Sequence, residues 1–301
     1  TPLVTLHHFT DPIWVMGQGG WENQKTITDF LAYTKKVVSA LKEYTTMWCT
    51  FNEPNVYTTM GYLLGEFPPG KRDMKTSFQV SENMITAHAA AYRAIHNIQE
   101  EAHVGLVINY RSMIPHRPWF PLDRAVAAIQ SRAYNDFFPR AAASGVLRFP
   151  FKQKKNPELK GTQDYLGINY YTRDRVAFSL KAREELFGHR FYDPDALLSE
   201  TGFIALQPEG MFEALRWGTR FGVPMIVTEN GVDDSEDTLR PRYIAEHLHQ
   251  IWRAVNFNWP IKGYFHWTLV DNFEWERGWT QRFGLYELDQ DTQARTRRPS
   301  A

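Results

Sequence analysis

Four short apolar runs of the sequence end in polar or ionisable side chains. These endings are Asn52-Glu53-Pro54, Asn169-Tyr170-Tyr171, Glu229-Asn230-Gly231 and, soon after the last run, Asp271-Asn272-Phe273-Glu274-Trp275. Together they supply carboxylates, amides, a phenol and an indole. This mixture suits a neutral polyhydroxylated ligand, because its hydroxyls need donors and acceptors while its ring face needs an aromatic platform.

Glu53 and Glu229 are the two carboxyls whose pairing could carry covalent chemistry. Cleavage of a glycosidic bond requires one carboxyl to protonate the leaving oxygen and another to attack the anomeric carbon or to activate a water. A single glutamate after an apolar run is weak evidence for such a role. The joint occurrence of two is stronger evidence, since they stand in the phrases Thr50-Phe51-Asn52-Glu53-Pro54 and Val227-Thr228-Glu229-Asn230-Gly231.

Alternating apolar and amphipathic segments predict the elements that position these residues. The apolar runs, read as strands, are Leu3–Phe9, Thr46–Asn52, His103–Tyr110, Asp164–Tyr171, Pro224–Asn230 and Ile261–Leu269. Helical periodicity follows in Thr28–Tyr44, Phe78–Glu101 and Glu209–Phe221. The pattern predicts β/α units around a parallel sheet, in which the carboxyl ends of the strands converge on one pocket. We expect the long connections, Arg111–Pro150 and Thr172–Pro208, to be loops or extra helices.

Charge and composition restrict the classes of partner. The 301 residues carry 34 Lys plus Arg and 34 Asp plus Glu, so the formal net charge is zero. We therefore expect no nucleic-acid or membrane partner and a neutral small-molecule substrate. The basic runs Lys152–Lys155 and Arg295–Arg298 are expected to be solvated faces. Ten Trp and an aromatic content of 15% fit either a ring-stacking site or an aromatic-rich core.

Cysteine and histidine usage argues against a metal or redox protein. Cys49 is the only cysteine, which excludes an internal disulfide and a thiolate cluster. His7 and His8 are adjacent on a predicted strand and should face opposite sides, so they cannot share one ion. No metal or other cofactor is implied. The chain has no long apolar stretch and no signal pattern, so we expect a cytoplasmic protein with residues 1–301 in one domain.

The phrases around Glu53 and Glu229 resemble the two signature motifs of glycoside hydrolase family 1. The resemblance continues through Thr5-Leu6-His7-His8-Phe9, Leu166-Gly167-Ile168-Asn169-Tyr170-Tyr171 and the segment from Trp267 to Trp275. It covers essentially the whole chain in family order. The resemblance implies an α/β fold of the (β/α)8 TIM-barrel type and a retaining exo-β-glycosidase.

The resemblance also implies a role for each matching residue. Glu53 would be the general acid/base and Glu229 the nucleophile of a double displacement. Burial and a neighbouring carboxylate would both favour the protonated form that Glu53 needs for the first step. The remaining residues would bind the sugar or support the site. Asn52 would contact the 2-hydroxyl, Tyr171 would hold the nucleophile oxygen and Asn169 would support the site. The other sugar-binding residues would be His8, Glu274 and Trp275 at hydroxyls of the nonreducing-end sugar, Trp267 beneath its ring and Phe283 in the same subsite.

Two alternatives for the activity follow. Glu274 would repel a phosphate, and Glu53 is retained, so the resemblance implies an O-glycosidase for unphosphorylated β-glucosides, with β-galactosides and β-fucosides as further candidates. The alternative is a weak or inactive sugar-binding remnant, because the family's N-terminal Gln and Arg cannot be assigned here. Hydrolysis of an aryl β-glucoside separates the two, since a remnant would bind sugar without releasing phenol.

About six of the eight strands of a family barrel can be assigned, which predicts an incomplete barrel. The first two β/α units and the last helix of the family are not found in the sequence. If the polypeptide comprises these residues alone, Leu3–Phe9 and Ile261–Leu269 would each have an open edge. We would then expect either association into a homo-oligomer through those edges or a mobile, solvent-accessible barrel interior. In both cases we would expect weak activity and broad sugar tolerance.

Overall fold

A computed structural model describes residues 2–149, 153–183 and 185–301. Across these residues the strands are β1 (Leu3–His7), β2 (Met47–Asn52), β3 (His103–Asn109), β4 (Ser112–Pro115), β5 (Val146–Arg148), β6 (Gln153–Lys155), β7 (Tyr165–Asn169), β8 (Arg173–Phe178), β9 (Gly188–Phe191), β10 (Met225–Glu229), β11 (Ile261–Tyr264), β12 (Tyr286–Leu288) and β13 (Arg295–Arg297). The α-helices are α1 (Ile13–Gly17), α2 (Lys25–Leu41), α3 (Pro54–Thr58), α4 (Met74–Ile98), α5 (Pro121–Asn135), α6 (Phe137–Ser144), α7 (Glu209–Gly218) and α8 (Arg240–Asn256).

The main sheet has six strands in the order β1-β2-β3-β7-β10-β11. The pairs β1–β2, β2–β3 and β10–β11 run parallel, with Val4 opposite Trp48 and Cys49 opposite Gly105. Each of the six strands lies in one of the six apolar runs, which confirms the expected α/β class with a parallel sheet. The last strand is the exception in length, since β11 ends at Tyr264, whereas the run was expected to continue to Leu269.

The predicted helices are confirmed with shifted ends. The segment Thr28–Tyr44 corresponds to α2, which begins and ends three residues earlier, and Phe78–Glu101 contains most of α4. Helix α4 begins at Met74 because the preceding Asp73 carboxylate accepts a hydrogen bond from the Thr76 amide at 2.8 Å. Across the described part of the chain, no helix combines the length and the apolar character that crossing a bilayer requires.

The long connections contain strands as well as helices. Strands β4, β8 and β9 form a separate three-stranded sheet, with β4 parallel to β8 and β8 antiparallel to β9. Helices α5 and α6 and strand β5 complete the first of these segments, and β5 pairs antiparallel with β6, which lies beyond it. The expectation of loops or extra helices was therefore wrong for the strands, because alternation in short exposed runs is too weak to separate a strand from a loop. Pro150 and Lys152, which bound two predicted segments, lie outside the described residues.

The chain forms two compact units, and strand β7 belongs in part to each. The first comprises the described residues of Thr1–Asn109, Ala133–Gly167 and Phe221–Pro224. Its aromatic core fixes β2 against α2, since Phe51 stacks on Phe30 with 4.7 Å between ring centroids. Gly105 allows a close approach in β3, where a Cβ would lie 2.6 Å from the Tyr165 carbonyl oxygen.

The second unit comprises Tyr110–Arg132, the described residues of Ile168–Arg220, and Met225–Ala301. Its core cluster consists of Ile204, Leu206, Val232, Leu239, Tyr243 and Phe283. Tyr171 and Trp267, both named from the sequence as site residues, pack against this cluster while staying partly exposed. The core cluster thus packs against one side of Tyr171 and Trp267, two aromatic residues that also carry a polar group.

Two fully buried histidines are held neutral by their surroundings. His88 of α4 contacts the Thr50 hydroxyl through Nδ1 at 2.7 Å and the Thr162 carbonyl through Nε2 at 2.5 Å. His247 of α8 stacks on the Tyr243 ring with 3.8 Å between centroids. Burial lowers the pKa of each histidine from 6.5 to about 4.

We expect the free energy of unfolding to fall as the pH is lowered from about 6.5 to about 4. In this window the unfolded chain protonates His88 and His247 while the folded chain does not, so each contributes a loss of ~1.4 kcal/mol per pH unit. Urea unfolding across this range measures the slope. The variant His88→Gln should show a smaller slope, whereas the exposed His103→Gln should keep it. An unchanged slope in His88→Gln would contradict this account.

Candidate active site

Glu53 joins the end of β2 to the start of α3 in an uncommon backbone conformation. It is 6% exposed, and its φ of 46° and ψ of 51° lie in the left-handed region. A residue with a side chain is disfavoured there, and such strain is typical of functional positions. The Glu53 amide donates to the Val107 carbonyl of β3 at 2.9 Å, and Pro54 opens the helix. The backbone conformation of this turn therefore fixes the direction in which the Glu53 side chain leaves the main chain.

The Glu53 carboxylate accepts a hydrogen bond that was not expected from the sequence. Nδ2 of Asn109, the last residue of β3, donates to Glu53 Oε1 at 2.8 Å. Asn109 stood inside the predicted run His103–Tyr110 but was not chosen as a site residue. The sequence did contain a signal for Asn109, because it is an amide residue at the end of a buried strand. Asn52 and Asn169, which were selected, occupy the same kind of position.

His8 and Asn52 meet at the carboxyl ends of β1 and β2. Asn52 Nδ2 lies 3.0 Å from His8 Nε2, so the amide donates to a neutral imidazole that carries its proton on Nδ1. Burial, followed by the charge of His7, lowers the pKa of His8 to about 4. The imidazole is therefore neutral at ordinary pH and can act as the acceptor.

His7 has a different set of neighbours from His8. Its Nε2 lies 3.2 Å from Asp11 Oδ1, and its ring contacts Trp21 and Tyr57 edge-on. Asp11 also accepts a hydrogen bond from the Tyr57 hydroxyl at 2.7 Å. The two adjacent imidazoles thus have different partners, as the alternation of side chains along a strand predicts.

Glu229 ends β10 and is held by the phenol that was expected to hold it. The Tyr171 hydroxyl donates to Glu229 Oε2 at 2.5 Å. The neighbouring Thr228 hydroxyl donates to Asn169 Oδ1 at 2.6 Å, so Asn169 contacts the residue before Glu229. Thr228, which the sequence reasoning did not select, thereby links β7 to the end of β10.

Gly231 follows Glu229 because the backbone of another segment passes against it. A Cβ at this position would lie 1.9 Å from the Trp267 carbonyl oxygen. The Trp267 amide in turn donates to the Asn230 carbonyl at 3.0 Å. Only glycine allows this approach, which places the segment carrying Trp267 beside the segment that follows Glu229.

The segment after β11 brings Trp267 and Glu274 together. Trp267 Nε1 donates to Glu274 Oε1 at 3.0 Å, and Asn272 Nδ2 donates to the same oxygen at 2.8 Å. Burial raises the pKa of Glu274 above its usual value, and the hydrogen bonds from Asn272 and Trp267 oppose that shift. Trp275 follows with a left-handed φ of 49°. The hydrogen bond between the Glu274 carboxylate and the Trp267 indole thus fixes these two groups relative to each other.

Phe283 supports the site from the core. It is 3% exposed and contacts the Tyr171 ring edge-on, with 6.3 Å between centroids. Phe283 would therefore shape the sugar subsite indirectly, by packing against Tyr171, whose hydroxyl reaches Glu229.

Arg298 corrects the expectation that Arg295–Arg298 is a solvated face. Arg295 and Arg297 are exposed, whereas Arg298 is 5% exposed and forms a two-pronged ion pair with Asp271 at 3.0 Å for each prong. Asp271 Oδ1 also accepts from the Gly284 amide at 2.8 Å. The buried pair anchors the beginning of the segment that carries Asn272 and Glu274.

A parallel α/β sheet in which one strand is followed by a glutamate held by an amide, and another ends in a glutamate held by a phenol, is characteristic of glycoside hydrolases. The chain belongs to glycosyl hydrolase family 1, whose family model matches residues 1–301. The resemblance inferred from the sequence motifs is thereby confirmed, including the TIM-barrel type of the fold.

Three known proteins illustrate the similarity. The chain is 34% identical to a β-galactosidase from Pyrococcus woesei, over 97% of this chain and 65% of that protein. A β-glycosidase structure from Pyrococcus horikoshii matches with a TM-score of 0.92 and 34% identity, covering 100% of this chain and 69% of that one. A Thermotoga maritima β-glucosidase in complex with castanospermine matches with a TM-score of 0.91 and 27% identity, covering 100% and 71%. The chain thus spans about two thirds of the length of such relatives.

We expect Arg298→Ala to destabilise the protein, because it removes the two-pronged partner of the buried Asp271 carboxylate and leaves Arg282, whose Nη1 lies 3.9 Å from Asp271 Oδ2. Removing one partner of a buried pair costs ~3–5 kcal/mol. Urea unfolding followed by tryptophan fluorescence measures the loss. The adjacent Arg297→Ala is the matched control and should stay close to wild type, because Arg297 is exposed. Equal stability of the two variants would show that the Asp271 pair does not anchor this segment.

Proposed function

We propose that this chain is a retaining exo-β-glycosidase that hydrolyses unphosphorylated β-glycosides by double displacement. The observation that carries the proposal is the hydrogen bond from the Tyr171 hydroxyl to Glu229 Oε2 at 2.5 Å, within the segment that matches the family's nucleophile motif. A phenol in this position orients one carboxylate oxygen without neutralising the charge. The other oxygen can then point at the anomeric carbon.

In the first step, a Glu229 oxygen forms a bond to the anomeric carbon while the glycosidic bond breaks. Glu53 gives its proton to the departing oxygen, which leaves a covalent glycosyl-enzyme and an ionised Glu53. In the second step, Glu53 removes a proton from water, and the water oxygen displaces Glu229 from the same carbon. Two inversions give net retention, and the mechanism requires the two carboxyls to be ~5–5.5 Å apart.

Loss of charge on Glu229 couples the two steps. Before attack, an ionised Glu229 favours the protonated form of Glu53, since two nearby anions repel each other. Once Glu229 is esterified, that repulsion disappears and Glu53 can stay ionised as a base. Glu53 can thus serve as acid and then as base in one turnover.

The proposed substrates are β-glucosides, with β-galactosides and β-fucosides as further candidates. Relatives named β-galactosidase and β-glucosidase, and a neighbour in complex with the sugar mimic castanospermine, support a sugar-sized glycoside as ligand. The Trp267 ring and the Glu274 carboxylate, joined at 3.0 Å, offer the aromatic face and the hydroxyl acceptor that a sugar needs. Glu274 would repel a 6-phosphate. The expected association of chains through strand edges stays a prediction.

Removing the proposed nucleophile provides the first test. Glu229→Ala should lower hydrolysis of an aryl β-glucoside by roughly 10⁴- to 10⁶-fold, in the range seen when a nucleophile is removed from other hydrolases. Azide should restore some turnover with inverted configuration, because a small anion can occupy the vacated space. The exposed Glu236→Ala is the matched control. A rescued product of retained configuration would show that Glu229 is not the nucleophile.

Removing the proposed proton donor provides the second test. Glu53→Gln should slow glycosides with poor leaving groups by ~10²- to 10⁴-fold, the usual contribution of a general acid. Activated aryl glycosides should still form the covalent intermediate, because their leaving groups need no proton. The exposed Glu100→Gln serves as control. Equal losses for both classes of substrate would assign Glu53 another role, and a wild-type chain that binds sugar without releasing phenol would be a binding remnant.

A further inference from the structure

We propose that Asn109 is a positioning residue that holds the Glu53 carboxyl group and favours its ionised form. The proposal rests on the proposed function for the role of Glu53 and extends it to a residue outside the recognised motifs. Its basis is the 2.8 Å hydrogen bond from Asn109 Nδ2 to Glu53 Oε1.

The orientation of the Asn109 amide is fixed from its other side. The Tyr134 hydroxyl, in the last turn of α5, lies 3.4 Å from Asn109 Oδ1 and can donate to it. Because Oδ1 faces this donor, the NH₂ group of the amide faces the Glu53 carboxylate. A flipped amide would place its oxygen against an ionised Glu53 carboxylate, so that two acceptors would face each other.

The Asn109 backbone is tied to the same turn as Glu53. Asn55, two residues after Glu53 in α3, donates from Nδ2 to the Asn109 carbonyl at 2.8 Å. The Glu53 amide donates to Val107, two residues before Asn109. The end of β3 and the start of α3 are thus joined by three hydrogen bonds, so Asn109 and Glu53 keep a fixed relative position.

The donor at Oε1 acts mainly on the charged form of Glu53. A carboxylate oxygen accepts the Asn109 N–H more strongly when the group is ionised, because the hydrogen bond is then charge-assisted. An amide does not titrate, so Asn109 remains a donor to Glu53 through both proposed steps.

Asn109 also opposes the effect of burial on Glu53. Burial of a side chain that is 6% exposed favours its neutral form, whereas an N–H donor favours the ionised form. The protonation of Glu53 is therefore a balance between these two effects. Removing Asn109 should shift that balance toward the neutral acid.

A purely structural role for Asn109 makes a different prediction. If the contact only joined β3 to α3, its loss would lower stability while leaving the pH profile of the remaining activity unchanged. The two roles are separated by the alkaline limb of the profile, where activity falls as the general acid loses its proton.

The test compares Asn109→Leu with the matched control Asn97→Leu, at an exposed position of α4. We expect the alkaline limb of kcat/KM for aryl glycosides with poor leaving groups to move up by about one pH unit in Asn109→Leu. Activated aryl glycosides should lose less activity, because their departure needs no proton. Asn97→Leu should have the wild-type profile.

A second measurement follows Glu53 without turnover. Titration of the δ-¹³C resonances of labelled glutamates, with the Glu53 signal assigned by its absence in Glu53→Gln, should give a higher midpoint for Glu53 in Asn109→Leu. Should Asn109→Leu fail to fold, Tyr134→Phe releases the amide orientation and should shift the midpoint in the same direction by a smaller amount.

The outcomes distinguish this inference from the proposed function. A wild-type chain that releases phenol, together with a folded Asn109→Leu whose limb and midpoint are both unchanged, would overturn the role of Asn109 alone. A wild-type chain that hydrolyses no aryl glycoside would overturn the proposed function. In that case the NMR midpoint still decides whether Asn109 controls the protonation of Glu53.

Discussion

A carboxylate that must react has to be held without being neutralised, and this constraint explains the choice of hydrogen-bond donors in the candidate site. Glu53 accepts from the Asn109 amide, Glu229 from the Tyr171 phenol and Glu274 from the Trp267 indole. All three donors are neutral. A neutral donor fixes the geometry of a carboxylate with only a modest effect on its charge, whereas a guanidinium would form a strong ion pair.

Carboxylates that hold the structure together are paired with guanidinium groups. Asp271 pairs with Arg298, and Asp174 pairs with Arg111 through two contacts of 2.7 Å. Such pairs fix connecting segments, since both partners are buried or partly buried and have matched geometry. The Asp271 pair lies next to Asn272, whose amide reaches Glu274. The ion pair between Asp271 and Arg298 therefore stabilises the segment that carries Asn272. The weaker, neutral hydrogen bond from Asn272 to Glu274 depends on that segment.

The sequence predicted the six main strands and the contact between Tyr171 and Glu229, whereas the roles assigned to the site residues stay predictions. A buried parallel strand is a continuous apolar run, and a motif places its residues at a strand end. Partners distant in the chain were harder to predict. Asn109 follows Glu53 by 56 positions, and Arg298 reaches Asp271 from a run of charges that reads as a solvated surface. Periodicity indicates which face of an element is buried, but it does not indicate which polar atom will be found opposite.

Under the proposed function, the left-handed backbone at Glu53 sets folding stability against activity at a single position. With φ at 46°, glycine is the residue that the local geometry favours, since it would remove the steric conflict between the side chain and its own backbone. Glycine would also remove the carboxylate. Selection for a stable fold therefore favours glycine at this position, whereas selection for turnover favours glutamate. Relaxed selection on catalysis would let the position change to glycine, which would give a more stable but inactive protein.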